Sequence, residues 1–133
     1  MTRINVPSGS YLEPIIGFSR AVRIGPYVAV AGTAPIGSDG KTVGIGDVAA
    51  QTQRCLEIGL AALKEAGAGP EHVIRTRIML TDAKRWEEAA RVHGSVFSDI
   101  RPACTFVEVK GFVDPDWIVE TEIDAILLED KSE

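Results

Sequence analysis

Along this chain the spacing of hydrophobic and polar residues switches between a period of two and a period near 3.6, and the switches mark out its elements. Residues 20–24 and 27–33 read as strands joined through Gly25-Pro26, a turn signal. The second is apolar on both sides, with Val28 and Val30 on one face and Ala29 and Ala31 on the other, which predicts a strand covered twice. Residues 37–46 hold four glycines and read as a loop. Asp47 then caps a helix running to about residue 66, with Val48, Thr52, Cys55, Leu56, Gly59 and Leu63 as its core face. Gly67 and Gly69-Pro70 stop it.

Residues 73–80 alternate, with Ile74, Thr76 and Ile78 on one face and Arg75 and Arg77 on the other. Thr81-Asp82 offers a cap for a second helix over 83–97, whose stripe is Trp86, Ala89, Ala90, His93, Val96 and Phe97. Strands over 103–110 and 117–128 follow, parted by the turn Val113-Asp114-Pro115-Asp116. The residues before 20 carry no regular period and are expected to be irregular. The order β-β-α-β-α-β-β predicts one α+β domain over 1–133, with two helices packed on one face of a mixed sheet. Its other face stays open unless subunits cover it, which predicts an oligomer.

Composition narrows the function classes. At 133 residues, 45% hydrophobic and 25% charged, the chain can bury a substantial core. A net charge of −5, with lysines and arginines scattered, opposes broad binding to nucleic-acid phosphates. Neither a signal-peptide pattern nor a bilayer-length apolar run is present, so a cytoplasmic protein without a membrane span is expected. Cys55 and Cys104 are too few for a disulfide framework. His72 and His93 lack metal-ligand spacing, and there is no phosphate loop or dinucleotide fingerprint. No metal or other cofactor is expected.

The final strand carries the most suggestive chemistry. Glu120, Glu122 and Asp124 share one face by period two. That face is either merely solvated, or a cleft where burial or a like charge tunes one carboxylate as a general base. A hard-cation site is a weaker reading, because no neighbouring loop supplies calcium-type spacing. On the preceding strand Cys104, Phe106 and Glu108 share one face, and Thr105, Val107 and Val109 the other. Cys104 reads as a small apolar residue, or as a nucleophile if a base or cation activates it.

Several segments in order resemble the RidA family, also called YjgF or endoribonuclease L-PSP proteins. They are Gly17-Phe18-Ser19-Arg20-Ala21-Val22, Val30-Ala31-Gly32-Thr33-Ala34-Pro35, residues 47–69, residues 76–82, Arg101-Pro102-Ala103, and Glu120-Thr121-Glu122. The resemblance implies a chorismate-mutase-like fold, a homotrimer, and clefts between subunits. In the family's deaminating branch, those clefts hydrolyse enamines and imines to 2-keto acids and ammonia without a cofactor. It assigns Glu120 to orienting water, and Phe18, Gly32, Cys104, Thr105 and Phe106 to the substrate pocket. A register shifted by two would give Glu122 the catalytic place.

Three departures bear on the substrate. Cys104 stands where the family places the arginine that grips a carboxylate, Phe18 where it places a tyrosine, and Phe106 at a position that is often cysteine. Phe18 and Phe106 together make the pocket more apolar, which suits a neutral or aromatic small molecule. A thiol cannot form the guanidinium fork, and each of its charge-assisted bonds is worth about 1.5–3 kcal/mol. Losing the fork costs roughly one to two orders of magnitude in affinity or more. Arg20, two residues beyond Phe18, is the candidate replacement. The readings from sequence are therefore a hydrolase of reactive imines, enamines or similar small molecules, or a non-catalytic trimer that binds a metabolite or stabilises other proteins. An endoribonuclease is disfavoured by the acidity.

Overall fold

The computed structural model describes residues 2–128. Its strands are β1 (Arg3–Val6), β2 (Ala21–Ile24), β3 (Tyr27–Thr33), β4 (Val73–Leu80), β5 (Ala103–Glu108) and β6 (Val119–Ile126). Its helices are α1 (Glu13–Ile16), α2 (Val48–Glu65) and α3 (Trp86–Phe97). The six strands form one sheet in the order β1-β2-β3-β6-β4-β5, antiparallel throughout except for the parallel pair β4 and β5. This is the mixed-sheet α+β architecture that the pattern predicts. Both crossovers, β3 to β4 through α2 and β4 to β5 through α3, step the same way across the sheet. The shared right-handedness of such connections therefore puts both helices on one face.

Local chemistry sets the boundaries. The Asp47 carboxylate accepts from the Ala50 amide at 3.0 Å, capping α2 as its sequence predicts. Val48, Thr52, Cys55, Leu56, Gly59 and Leu63 are all buried on the sheet-facing side of α2. At Gly59 a β-carbon would stand 2.9 Å from Ile123 Cδ1, so glycine lets α2 seat directly on β6. Leu56, Leu63, Phe97, Ile123, Val28 and Val30 form the larger core cluster, and Val48, Ile78, Leu80, Ala89 and Val119 the smaller. Each such large apolar side chain contributes about 1.5–3 kcal/mol by leaving water.

Five expectations are corrected. The N-terminal segment is not irregular throughout: residues 3–6 pair with β2, and a single turn of helix follows. Only Val6 of β1 is buried, so no alternation advertised the strand. Ile74 is exposed rather than sharing a face with Thr76 and Ile78, because a register shift between Val73 and Arg75 turns it outward. Trp86 is also exposed, since residues 83–85 form a 3-10 turn and α3 begins only at Trp86. The last two strands are shorter than expected, ending at Glu108 and Ile126. Within the chain β3 is covered on one face alone, with Ala29 exposed. Among the described residues no helix is long and apolar enough to cross a membrane.

Candidate active site

One strand irregularity and one glycine build a cleft at the end of β3. The pairing of β3 with β6 slips between Val30 and Thr33, leaving an extra residue at Ala31-Gly32. Such a bulge frees backbone groups from the ladder and re-aims side chains. Arg20 Nη1 uses one of those freed groups, donating to the Gly32 carbonyl at 2.8 Å and to Thr33 Oγ1 at 3.2 Å. The Thr33 hydroxyl in turn donates to the Ala31 carbonyl at 2.8 Å. The guanidinium lies over the Phe18 ring, 5.4 Å from its centroid. These contacts fix Arg20 by its face and one nitrogen. Its Nε and Nη2 have no acceptor among the described residues.

Glu120 stands across the bulge from this cation. A β-carbon at position 32 would be 3.0 Å from Glu120 Oε1, so glycine makes room for the carboxylate. Burial holds the Glu120 carboxyl above the ordinary carboxylate range, with Arg20 opposing the shift and Glu122 adding to it. Burial likewise lowers the Arg20 pKa, while the Glu120 charge raises it. No ion pair within 4.0 Å joins the two among the described residues.

Phe18, Arg20, Gly32 and Glu120 therefore line one cleft of about 640 Å³. Its other walls include Ser8 to Leu12, Ile36 to Ser38, Arg54 and Ile58 on α2, and Trp117. The Trp117 indole donates to Thr42 Oγ1 at 3.2 Å, which ties the wall to the glycine-rich loop. Beneath it, buried Gln51 accepts from the Ile118 amide and donates to the carbonyls of Gly44 and Asp116. That side chain fixes the entry to β6 two residues before Glu120.

The remaining predicted residues lie elsewhere in the chain. Cys104 pairs with Thr76 on β4, whereas Glu120 lies opposite Met79. Strand spacings put Cys104 roughly 14 Å from Glu120. Phe106 packs on the cluster beneath the helices, and Cys104 shares that side by alternation but is exposed rather than a buried apolar residue. Thr105 is on the face of Glu120 but pairs with Arg77, two strands from β6. Within one chain, then, Cys104, Thr105 and Phe106 do not line the cleft. Glu122 lies outside it as well: Arg77 Nη1 holds it at 3.2 Å, with Asp124 at 3.7 Å.

The other reactive groups are engaged structurally. Cys55 is fully buried, its thiol directed at the Val119 carbonyl at 3.7 Å, and burial pushes its pKa far up. His93 shares a 2.8 Å hydrogen bond with Thr76 Oγ1, packs on Phe97, and burial favours its neutral form. His72 Nδ1 accepts from the Gly69 amide in the turn before β4. Among the described residues no group of three or more His, Cys, Asp or Glu side chains could hold a metal ion. Sequence spacing gave no hint of Arg54 or Tyr11 in the cleft, because segments distant in sequence bring them to it.

Comparison with known proteins adds an independent line. The family model described as Endoribonuclease L-PSP matches residues 9–127. An uncharacterized protein of Streptomyces coelicolor is 38% identical over 120 residues, covering 90% of this chain and 89% of that one. The 3-aminoacrylate deaminase RutC of Acinetobacter baylyi is 32% identical over 117 residues, 88% of this chain and 91% of that one. A crystal structure from Mycobacterium tuberculosis, of a YjgF/YER057c/UK114 family member, superposes with a TM-score of 0.86. It is 45% identical, and the match covers 95% of this chain and all of that one.

Proposed function

Since the chain belongs to the endoribonuclease L-PSP family, we propose that it is a cofactor-independent deaminase of reactive imines or enamines, working as a cytoplasmic homotrimer. One observation carries this reading: a half-buried carboxylate, Glu120, and a pinned guanidinium, Arg20, line the same cleft. The open Nε–Nη2 edge of Arg20 suits the two oxygens of a substrate carboxylate. Arg20 thereby replaces the cation that Cys104 cannot supply.

The chemistry asks little more of the protein. An iminium carbon is electrophilic, and a water held on Glu120 attacks it, forming the C–O bond as the C=N electron pair moves to nitrogen. Glu120 takes the proton from that water and delivers it to the amine. The C–N bond then breaks, ammonia leaves, and loss of the hydroxyl proton gives the 2-keto acid. An enamine enters the same sequence after protonation at carbon. The raised pKa of Glu120 makes it a better base than an ordinary carboxylate.

The trimer belongs to this proposal. The uncovered sheet face carries Val22, Ala29, Met79 and Val107 beside its charged residues, and a partner surface would cover them. A neighbouring protomer is also the one route by which Cys104 could border a Glu120 cleft. The 32% identical relative that is a 3-aminoacrylate deaminase supports deamination, and the net charge of −5 argues against RNA cleavage. The test is ammonia release from freshly generated 2-iminobutyrate. Turnover by the native protein that Glu120→Ala abolishes supports the reading; rates equal to the buffer control, with this imine and with the two-carboxylate 2-iminoglutarate, refute it.

A further inference from the structure

The cleft has a second guanidinium. Arg54 projects from α2 into the wall that also carries Ile58, one helical turn further on. Its Nε donates to the Ile36 carbonyl at 2.6 Å, so the loop after β3 orients it much as the bulge orients Arg20. Glu57 lies 3.7 Å from Nη1 and is itself about half-exposed, while Nη2 has no protein acceptor among the described residues. Arg20 approaches from the residue before β2 and Arg54 from α2, with the apolar Phe18, Ile58 and Trp117 contributing surface to the same cleft.

Size points the same way. A cleft of about 640 Å³ is of the order that accommodates a drug-sized ligand. A three- or four-carbon imino acid bound at Arg20 would leave most of it to water. A longer substrate with a second acid group would reach another cation instead. Resting on the deaminase reading above for the reaction, we infer that Arg54 is a specificity-determining residue, selecting imines that carry a second carboxylate. The Arg20 end holds the carboxylate beside the reacting carbon, and Arg54 holds the distal one across an apolar middle.

Stable acids separate this inference from the reaction itself. Titration calorimetry with glutarate and with butyrate compares two acids against one, on the wild type, Arg54→Gln and Arg54→Lys. Glutarate should bind at least about tenfold tighter to the wild type, the weight of one added charge-assisted contact. Arg54→Gln should erase that ratio, and Arg54→Lys should keep part of it. Glutarate binding no tighter than butyrate in the wild type, including no measurable binding of either, overturns the inference. So does a ratio that survives Arg54→Gln. The wild-type ratio decides alone if Arg54→Gln fails to fold. A glutarate preference that depends on Arg54, in a protein that hydrolyses no imine, would support this inference and refute the deaminase reading. Ammonia release from 2-iminobutyrate with no such preference would do the reverse.

Discussion

Glu120 and Gly32 are fitted to each other: the Oε1 of one occupies space that a β-carbon on the other would bring to 3.0 Å. The same glycine gives its carbonyl to Arg20. Gly32→Ala therefore pushes the carboxylate aside by a few tenths of an ångström and disturbs the bulge that pins the cation. Its expected effect is a fall in kcat of about tenfold or more, since small misplacements of a catalytic group are costly. A thermal melt should move little. A Gly32→Ala protein with unchanged kcat would mean that Glu120 is not held against the reacting atoms.

Glu120 should also weaken the fold at neutral pH. Its folded-state pKa is raised above 4.5 by burial, so between the unfolded and folded pKa values the native state binds more protons. Stability then falls as pH rises through that window. Glu120→Gln removes the charge and should melt higher than the wild type at pH 7. At pH 4, where the carboxyl is largely protonated folded or unfolded, the difference should shrink. Melting curves at both values check this. A wild type that melts higher at pH 7 would show that Arg20 overcompensates for the burial.

Thr121 predicts a stabilising substitution. Its hydroxyl is buried without a hydrogen-bond partner among the described residues. Thr121→Val replaces that group with a methyl, and should gain about 1 kcal/mol by removing the desolvation penalty. Urea unfolding measures it. A loss of stability would reveal a partner for the hydroxyl, such as an ordered water.

Gln51 predicts the opposite. All of its polar atoms are used, on Gly44, Asp116 and Ile118. Gln51→Leu leaves the part-buried amide of Ile118 and two carbonyls without these bonds, costing about 1–3 kcal/mol in urea unfolding. A change below about 0.5 kcal/mol would show that water takes over the three bonds.

The sequence disclosed what alternation and helical spacing can carry. The buried side of β6 and the core stripe of α2 follow directly from their periods, and the cap at Asp47 from its position. It failed where geometry breaks the period. The bulges at Ala31-Gly32 and Ile74 are single-residue slips that leave no mark on composition. β1 is an edge strand with one buried residue in four, too weak a signal to separate from loop. At the cleft, Glu120, Gly32 and Phe18 were legible through the family resemblance and Arg20 through its spacing from Phe18, and Arg54 was not, because the Ile36 loop that orients it is distant in sequence.

The account depends most on Arg20 holding the substrate carboxylate in place of an arginine on β5. Steady-state hydrolysis of 2-iminobutyrate by wild type and Arg20→Ala tests that claim most directly. The predicted result is a drop in kcat/KM of about ten- to a hundredfold or more, expressed chiefly in KM, with part of the loss restored in Arg20→Lys. An unchanged kcat/KM in Arg20→Ala would contradict it.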